Sequence, residues 1–206
     1  MKNKSIIIIA FIIVSLIQLA IPAQMIYNRE MVLKSGKVLK LITTSVDPSD
    51  PLRGEYISLY YKENMVHVQN IKNWKKNEPI YVTFIKGKDD FAKVANIQKE
   101  KPTETNNYVV AKVGHILKGK GKYKNIIINY PFNAFYMEEF KAGAAENAQN
   151  EAFRDTTIKQ YALIAIQNGE AVVKDVIING IPVRDLAKMK KQIKSEKNIN
   201  YYDNNK

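Results

Sequence analysis

The chain has 206 residues, 46% of them hydrophobic, a formal net charge of +12 and no cysteine. The apolar share is enough for a real core, which excludes global disorder. The lack of cysteine excludes disulfides, thiolate metal centres, a cysteine nucleophile and an acylated-cysteine anchor, and it leaves the compartment open.

The lysines are spread along the chain and not bunched into a run of five or six. Together with the excess of Ile, Asn and Tyr, this reads as a base-composition bias ahead of a polyanion-binding signal.

Met1–Lys4 is a short basic head, expected on the cytoplasmic side. Residues 5–26 carry no charge, and Ile6–Leu19 is an almost continuous run of Ile, Val, Leu and Phe. About 20 such residues at ~1.5 Å each cross a ~30 Å hydrocarbon core, so this stretch predicts a transmembrane signal anchor. The alternative is a cleaved signal peptide ending near Ile21-Pro22-Ala23. Against it, the apolar run reaches or exceeds the usual core of roughly 7–15 residues, and Ile21 is not small. Lys2 and Lys4 favour an inside N-terminus, opposed in part by Arg29, Lys34 and Lys37. The expected location is the inner (cytoplasmic) membrane, single-pass, with the domain facing the periplasm or outside.

A linker is expected over 27–36, an extracytoplasmic β domain over 37–183 and a charged tail over 184–206. Period-2 alternation predicts a strand near 37–46. The stretch Val46-Asp47-Pro48-Ser49-Asp50-Pro51-Leu52-Arg53-Gly54 then turns the chain. From Glu55 to about Glu63 a Tyr-rich strand follows with apolar bulk on both faces, which predicts cover on both sides. Residues 64–78 leave helix and loop open.

Ile80–Lys86 and Phe91–Gln98 form a hairpin about Gly87-Lys88-Asp89-Asp90. Val109–Leu117 and Tyr123–Tyr130 form a second about Lys118–Lys122. Ala142–Arg154 is the one convincing helix of the soluble part. Thr157–Gln167 and Glu170–Ile178 are strands joined by Asn168-Gly169, a type I′ signal that Asn179-Gly180 repeats before Ile181. The fold expected is mainly β, an antiparallel sandwich or partly open barrel with one helix, behind an N-terminal transmembrane helix.

Gly54-Glu55-Tyr56-Ile57-Ser58-Leu59-Tyr60-Tyr61 resembles the signature of the GDYXXLXY protein family. The lead-in Val46-Asp47-Pro48, Asp50-Pro51 and Arg53-Gly54 matches that family's turn. Phe135-Tyr136-Met137-Glu138-Glu139 is similar to its second aromatic-then-Glu segment, and Val172–Val183 to its closing hairpin. Glu55 stands where the family has Asp, and Phe140 where its second segment has Gly. The resemblance implies a membrane-anchored extracytoplasmic domain and names no reaction.

No residue set here makes a convincing catalytic site, metal centre or cofactor site, and no enzyme is predicted. Asp47 and Asp50 fit Asx-turn hydrogen bonding better than a hard-cation cage. His67 and His115 lack partners at zinc-ligand spacing. The alternative is an envelope hydrolase using Ser58 with a lysine, or the carboxylates Glu55 and Glu139, although Ser58 has no Gly-x-Ser-x-Gly elbow around it.

The candidates for binding a ligand or partner are Arg53, Glu55, Tyr56, Tyr61 and Glu139. The expected partners are the lipid bilayer and an integral membrane protein. The basic turn Lys118–Lys124 suits anionic headgroups, and an extracytoplasmic address argues against nucleic acid.

Overall fold

A single helix, α1 (Lys2–Ser35), leads the chain, and its Ile6–Ser35 portion is long and apolar enough to cross a membrane. The computed structural model describes residues 2–44, 56–118, 124–136 and 159–185. The Asp47–Gly54 turn, most of the basic Lys118–Lys122 turn, the helix expected at 142–154 and the tail beyond residue 185 therefore lie outside the described residues.

The stretch 27–36, expected to be a linker, is helical through Ser35. Its Arg, Glu, Met, Leu and Lys residues are good helix formers. Glu30 and Lys34 add an i,i+4 ion pair at 3.5 Å. Gly36 ends the helix, its N–H donating to the Val32 carbonyl at 2.9 Å. A Cβ at Gly36 would lie 2.4 Å from that carbonyl oxygen and 3.1 Å from the oxygen of Ile166, so glycine is needed for this close approach. The strand β1 (Lys37–Thr44) begins at the next residue, leaving no spacer.

The remaining strands are β2 (Tyr56–Ser58), β3 (Tyr60–Tyr61), β4 (Met65–His67), β5 (Pro79–Lys86), β6 (Ala92–Gln98) and β7 (Tyr108–Lys118). After them come β8 (Lys124–Asn129), β9 (Ala134–Tyr136), β10 (Gln160–Gln167), β11 (Glu170–Ile178) and β12 (Ile181–Pro182). They form two five-stranded sheets, ordered β12-β11-β10-β1-β3 and β4-β8-β7-β5-β6, and a two-stranded piece, β2-β9. All pairings between these strands are antiparallel.

Alternation sorts each strand into a core face and an outer face. Leu39 and Leu41 of β1, with Ala162, Ile164 and Ile166 of β10, meet Ile80 and Val82 of β5 and Val109, Ala111 and Val113 of β7 in one buried cluster. Two antiparallel sheets sharing one core make a sandwich.

The Tyr-rich segment is not one strand. Its first half pairs with β9 and its second half with β1, with Leu59 at the crossover. Leu59 and Tyr61 are buried, whereas Tyr60 is 46% exposed, so cover is one-sided there. The undecided stretch 64–78 holds β4 and a 3₁₀ turn, Ile71–Asn73, capped by the Asn70 side chain accepting from the Lys72 N–H.

The two Asn-Gly turns have the left-handed backbone of type I′ hairpins. Their φ values are 52° and 91° at Asn168 and Gly169, and 51° and 80° at Asn179 and Gly180. The first turn also joins the sheets. Val110 N–H donates to the Gly169 carbonyl at 2.9 Å, and Asn168 N–H to the Asn106 carbonyl at 3.0 Å. The last turns of α1 lie over the outer side of β10 and β11. There Val32 is buried, Ala165 is buried outside the core cluster, and Ser35 Oγ donates to Gln167 Oε1 at 3.2 Å.

A second tie between the sheets is ionic. Asp90, in the β5–β6 turn, accepts from Lys40 Nζ of β1 at 2.5 Å and pairs with Lys86. The hydrogen bond from Lys40, then that from Lys86, holds the Asp90 carboxyl down to about 2, below its ordinary value of 3.8. A carboxylate lowered on folding contributes stability that is full above the unfolded value and fades as pH falls through about 2. We predict that an NMR titration of the Asp90 carboxyl shows a midpoint near 2 that rises toward 3.8 in Lys40→Met. An ordinary midpoint in the native protein would show that the lysines do not hold it.

Candidate functional site

The signature segment folds against the segment 131–136. Tyr56 pairs with Tyr136, Ile57 with Phe135 and Ser58 with Ala134. The rings of Tyr56 and Tyr136 lie 5.6 Å apart, centroid to centroid. One step on, Leu59 N–H donates to the Asn133 carbonyl at 2.8 Å. Tyr61 then buries its ring and donates its hydroxyl to the Phe132 carbonyl at 2.6 Å.

An aromatic cluster secures this arrangement. Phe132 stacks on Tyr130 at 4.9 Å and meets Tyr61 at 5.3 Å, while Tyr130 also reaches Phe84 at 6.1 Å. Offset and tilted pairs of this kind add roughly 0.5–1.5 kcal/mol each beyond area burial. Tyr130 donates its hydroxyl to the Glu63 carbonyl at 2.9 Å, so both buried phenols have acceptors. Burial pushes both hydroxyl pKa values up, that of Tyr61 well above its usual value, so both stay protonated donors. Asn64 completes the turn, its Oδ1 accepting from Tyr61 N–H and its amide donating to the Ile128 carbonyl, both at 2.8 Å.

The segment held this way is one wall of a groove of about 670 Å³. Phe132, Phe135 and Tyr136 face it on that side. Met25, Asn28 and Arg29 of α1 form a second wall. The start of β11, from Glu170 to Val173, forms a third, with Gly169 and Val110 at the point where the sheets are tied. The second aromatic segment and the start of the closing hairpin, both more than 100 positions from α1 in the sequence (131 minus 29 is 102), thus converge on that helix, and the signature strand pairs with the first of them.

Of the five residues singled out from the sequence, Tyr56 stands beside the groove through its pairing with Tyr136. Tyr61 lies in the core and acts on the groove through Phe132. Arg53, Glu55 and Glu139 lie outside the described residues. Ser58 sits on β2 opposite Ala134. His67 contacts Asn125 Oδ1 at 3.3 Å, and among the described residues no group of three or more His, Asp or Glu side chains could hold a metal ion.

Met25, Asn28 and Glu170 were not singled out by sequence reasoning, and Arg29 entered it only as a charge at the end of the apolar run, not as a site candidate. Arg29 carries a local signal, as the first cation after the apolar run. Glu170 carries only the start of a strand.

A helix able to cross a bilayer, joined without a spacer to an antiparallel β sandwich that leaves a groove beside the helix, defines the class of protein. The chain belongs to the GDYXXLXY protein family, whose model matches residues 18–176. That match begins within the apolar helix and runs through β1 to most of β11. No curated protein matches the chain, and no solved structure does.

The signature residues therefore have a concrete structural task in this chain. Tyr61→Phe removes the donor to the buried Phe132 carbonyl and should lower stability by about 1–2 kcal/mol. Tyr60→Phe, at an exposed position, should stay within about 0.5 kcal/mol of the parent. Chemical denaturation of the full chain in detergent checks this. Equal stabilities for the two variants would contradict the assigned role of the Tyr61 hydroxyl.

Proposed function

We propose that this chain is a non-enzymatic, membrane-anchored binding protein of the bacterial envelope. Its groove holds a membrane-protein partner or another envelope component. The observation that carries this reading is the convergence of α1, the second aromatic segment and the closing hairpin on one groove. Its lining combines aliphatic and aromatic side chains with a few polar and charged groups, the composition that suits a binding groove.

Position supports the same reading. The groove's helical wall starts at Met25, inside the stretch 5–26 that carries no charge. With the apolar part of α1 in the bilayer, the groove opens at the headgroup layer. Tyr27, Arg29 and the exposed Tyr136 are residue types that suit that depth. The domain is oriented to the periplasm or outside, in keeping with the short basic head before the span.

A photoreactive residue at Tyr136 tests this in intact cells, with one at Lys101, an exposed loop position, as comparison. The proposal expects a discrete adduct at Tyr136 and none at Lys101. The same diffuse labelling at both positions, in a membrane-inserted and folded protein, would count decisively against it.

A further inference from the structure

The groove carries one positive and one negative side chain on walls otherwise built from aromatic, aliphatic and amide groups. Arg29 belongs to α1, and Glu170 is the first residue of β11. Both are exposed, and neither side chain makes an ion pair or hydrogen bond among the described residues. Ion pairs elsewhere on the protein include Lys99–Glu78, Arg184–Asp175 and the Lys40–Asp90–Lys86 set, and no such pair forms between the two charges of the groove. Two opposite charges left apart in one groove suit a ligand that itself carries separated charges. A simple anion would be repelled by Glu170, and a simple cation by Arg29.

Location narrows the ligand further. Met25 and Arg29 are one turn apart on α1, a rise of about 6 Å, and they bracket the end of the apolar run. A molecule that lies at this depth has its charges beside Arg29 and its hydrocarbon beside Met25. The aliphatic and aromatic lining continues at Val172 and the exposed Tyr136.

Resting on the reading of this groove as the binding surface, we propose that it takes the headgroup of a zwitterionic aminophospholipid from the bilayer. Arg29 binds the phosphate diester through its planar fork of N–H donors. Glu170 accepts from the primary ammonium, and the Asn28 amide is available to an ester oxygen. The first carbons of the acyl chains rest on the apolar lining.

The full chain, purified in mild detergent and followed by native mass spectrometry, should be titrated with three short-chain lipids. These are phosphatidylethanolamine, phosphatidylcholine, whose quaternary ammonium cannot donate, and phosphatidylglycerol, which has no cation. Saturable binding with phosphatidylethanolamine tightest is expected. Arg29→Ala should weaken that binding on the order of tenfold, the loss of one charge-assisted contact. Glu170→Gln should bring phosphatidylethanolamine down to the level of the other two. Arg29→Lys, which keeps the charge and loses the fork, should fall between parent and Arg29→Ala.

Equal uptake of the three lipids by the parent would overturn the proposal, as would an unchanged preference in both Arg29→Ala and Glu170→Gln. Both side chains are exposed, so neither change removes core packing. If lipid preference is absent while Tyr136 still cross-links to a discrete protein, the lipid assignment falls and the binding-protein reading stands.

Discussion

The groove depends on α1 reaching the β domain without a flexible joint. A spacer of even a few glycines or serines between residues 26 and 37 would let the domain swing, and the groove would lose one of its walls. The chain instead continues the helix to Ser35, turns at a glycine that only glycine's lack of a side chain permits, and enters β1 at once. Val32, buried where α1 packs on β10 and β11, holds the arrangement together with Ser35, whose hydroxyl donates to Gln167. Burying one valine side chain contributes about 1.5–3 kcal/mol, modest against the whole fold but concentrated where the direction of the helix is decided.

The family signature takes on a physical meaning in this setting. Its described residues, 56–61, hold the segment that lines the groove. The peptide of Leu59 and the hydroxyl of Tyr61 each fix a carbonyl of the 131–136 segment, and β2 pairs with the strand that follows. Crossing from β9 to β1 within six residues, the signature ties the wall of the groove to the edge of a five-stranded sheet. The Asn168-Gly169 turn does the same for the opposite wall, since it bonds β7 in the facing sheet while the strand that follows it, β11, lines the groove.

Much of the fold was legible because it is written in local chemistry. Asn-Gly pairs force a left-handed turn wherever they occur between strands, and both positions show it. Period-2 alternation located β1, β5, β6, β7, β8, β10 and β11, because one face of each meets a single core. The split of the Tyr-rich segment was not legible, because which neighbour each half pairs with is set by tertiary partners.

The helical course of 27–35 was missed for another reason. Hydropathy marks the end of the apolar run at Ile26, whereas the helix ends where Gly36 caps it. The candidate site was the least legible part. Tyr56 and Tyr61 were singled out through their motif and stand beside or behind the groove, outside its lining, whereas Arg29 and Glu170 are 141 positions apart (170 minus 29), and only the seating of α1 against β11 makes them neighbours of one groove.

The central claim is that residues 25–29 of α1 and residues 131–136 form two walls of one fixed groove. The lack of cysteine permits a clean double label, with spin labels at Asn28→Cys and Tyr136→Cys in the full chain reconstituted in bilayers. Pulsed electron spin resonance between them should give a single short and narrow distance distribution. A broad or long distribution would mean that the helix leaves the domain, and that the groove does not exist in the membrane.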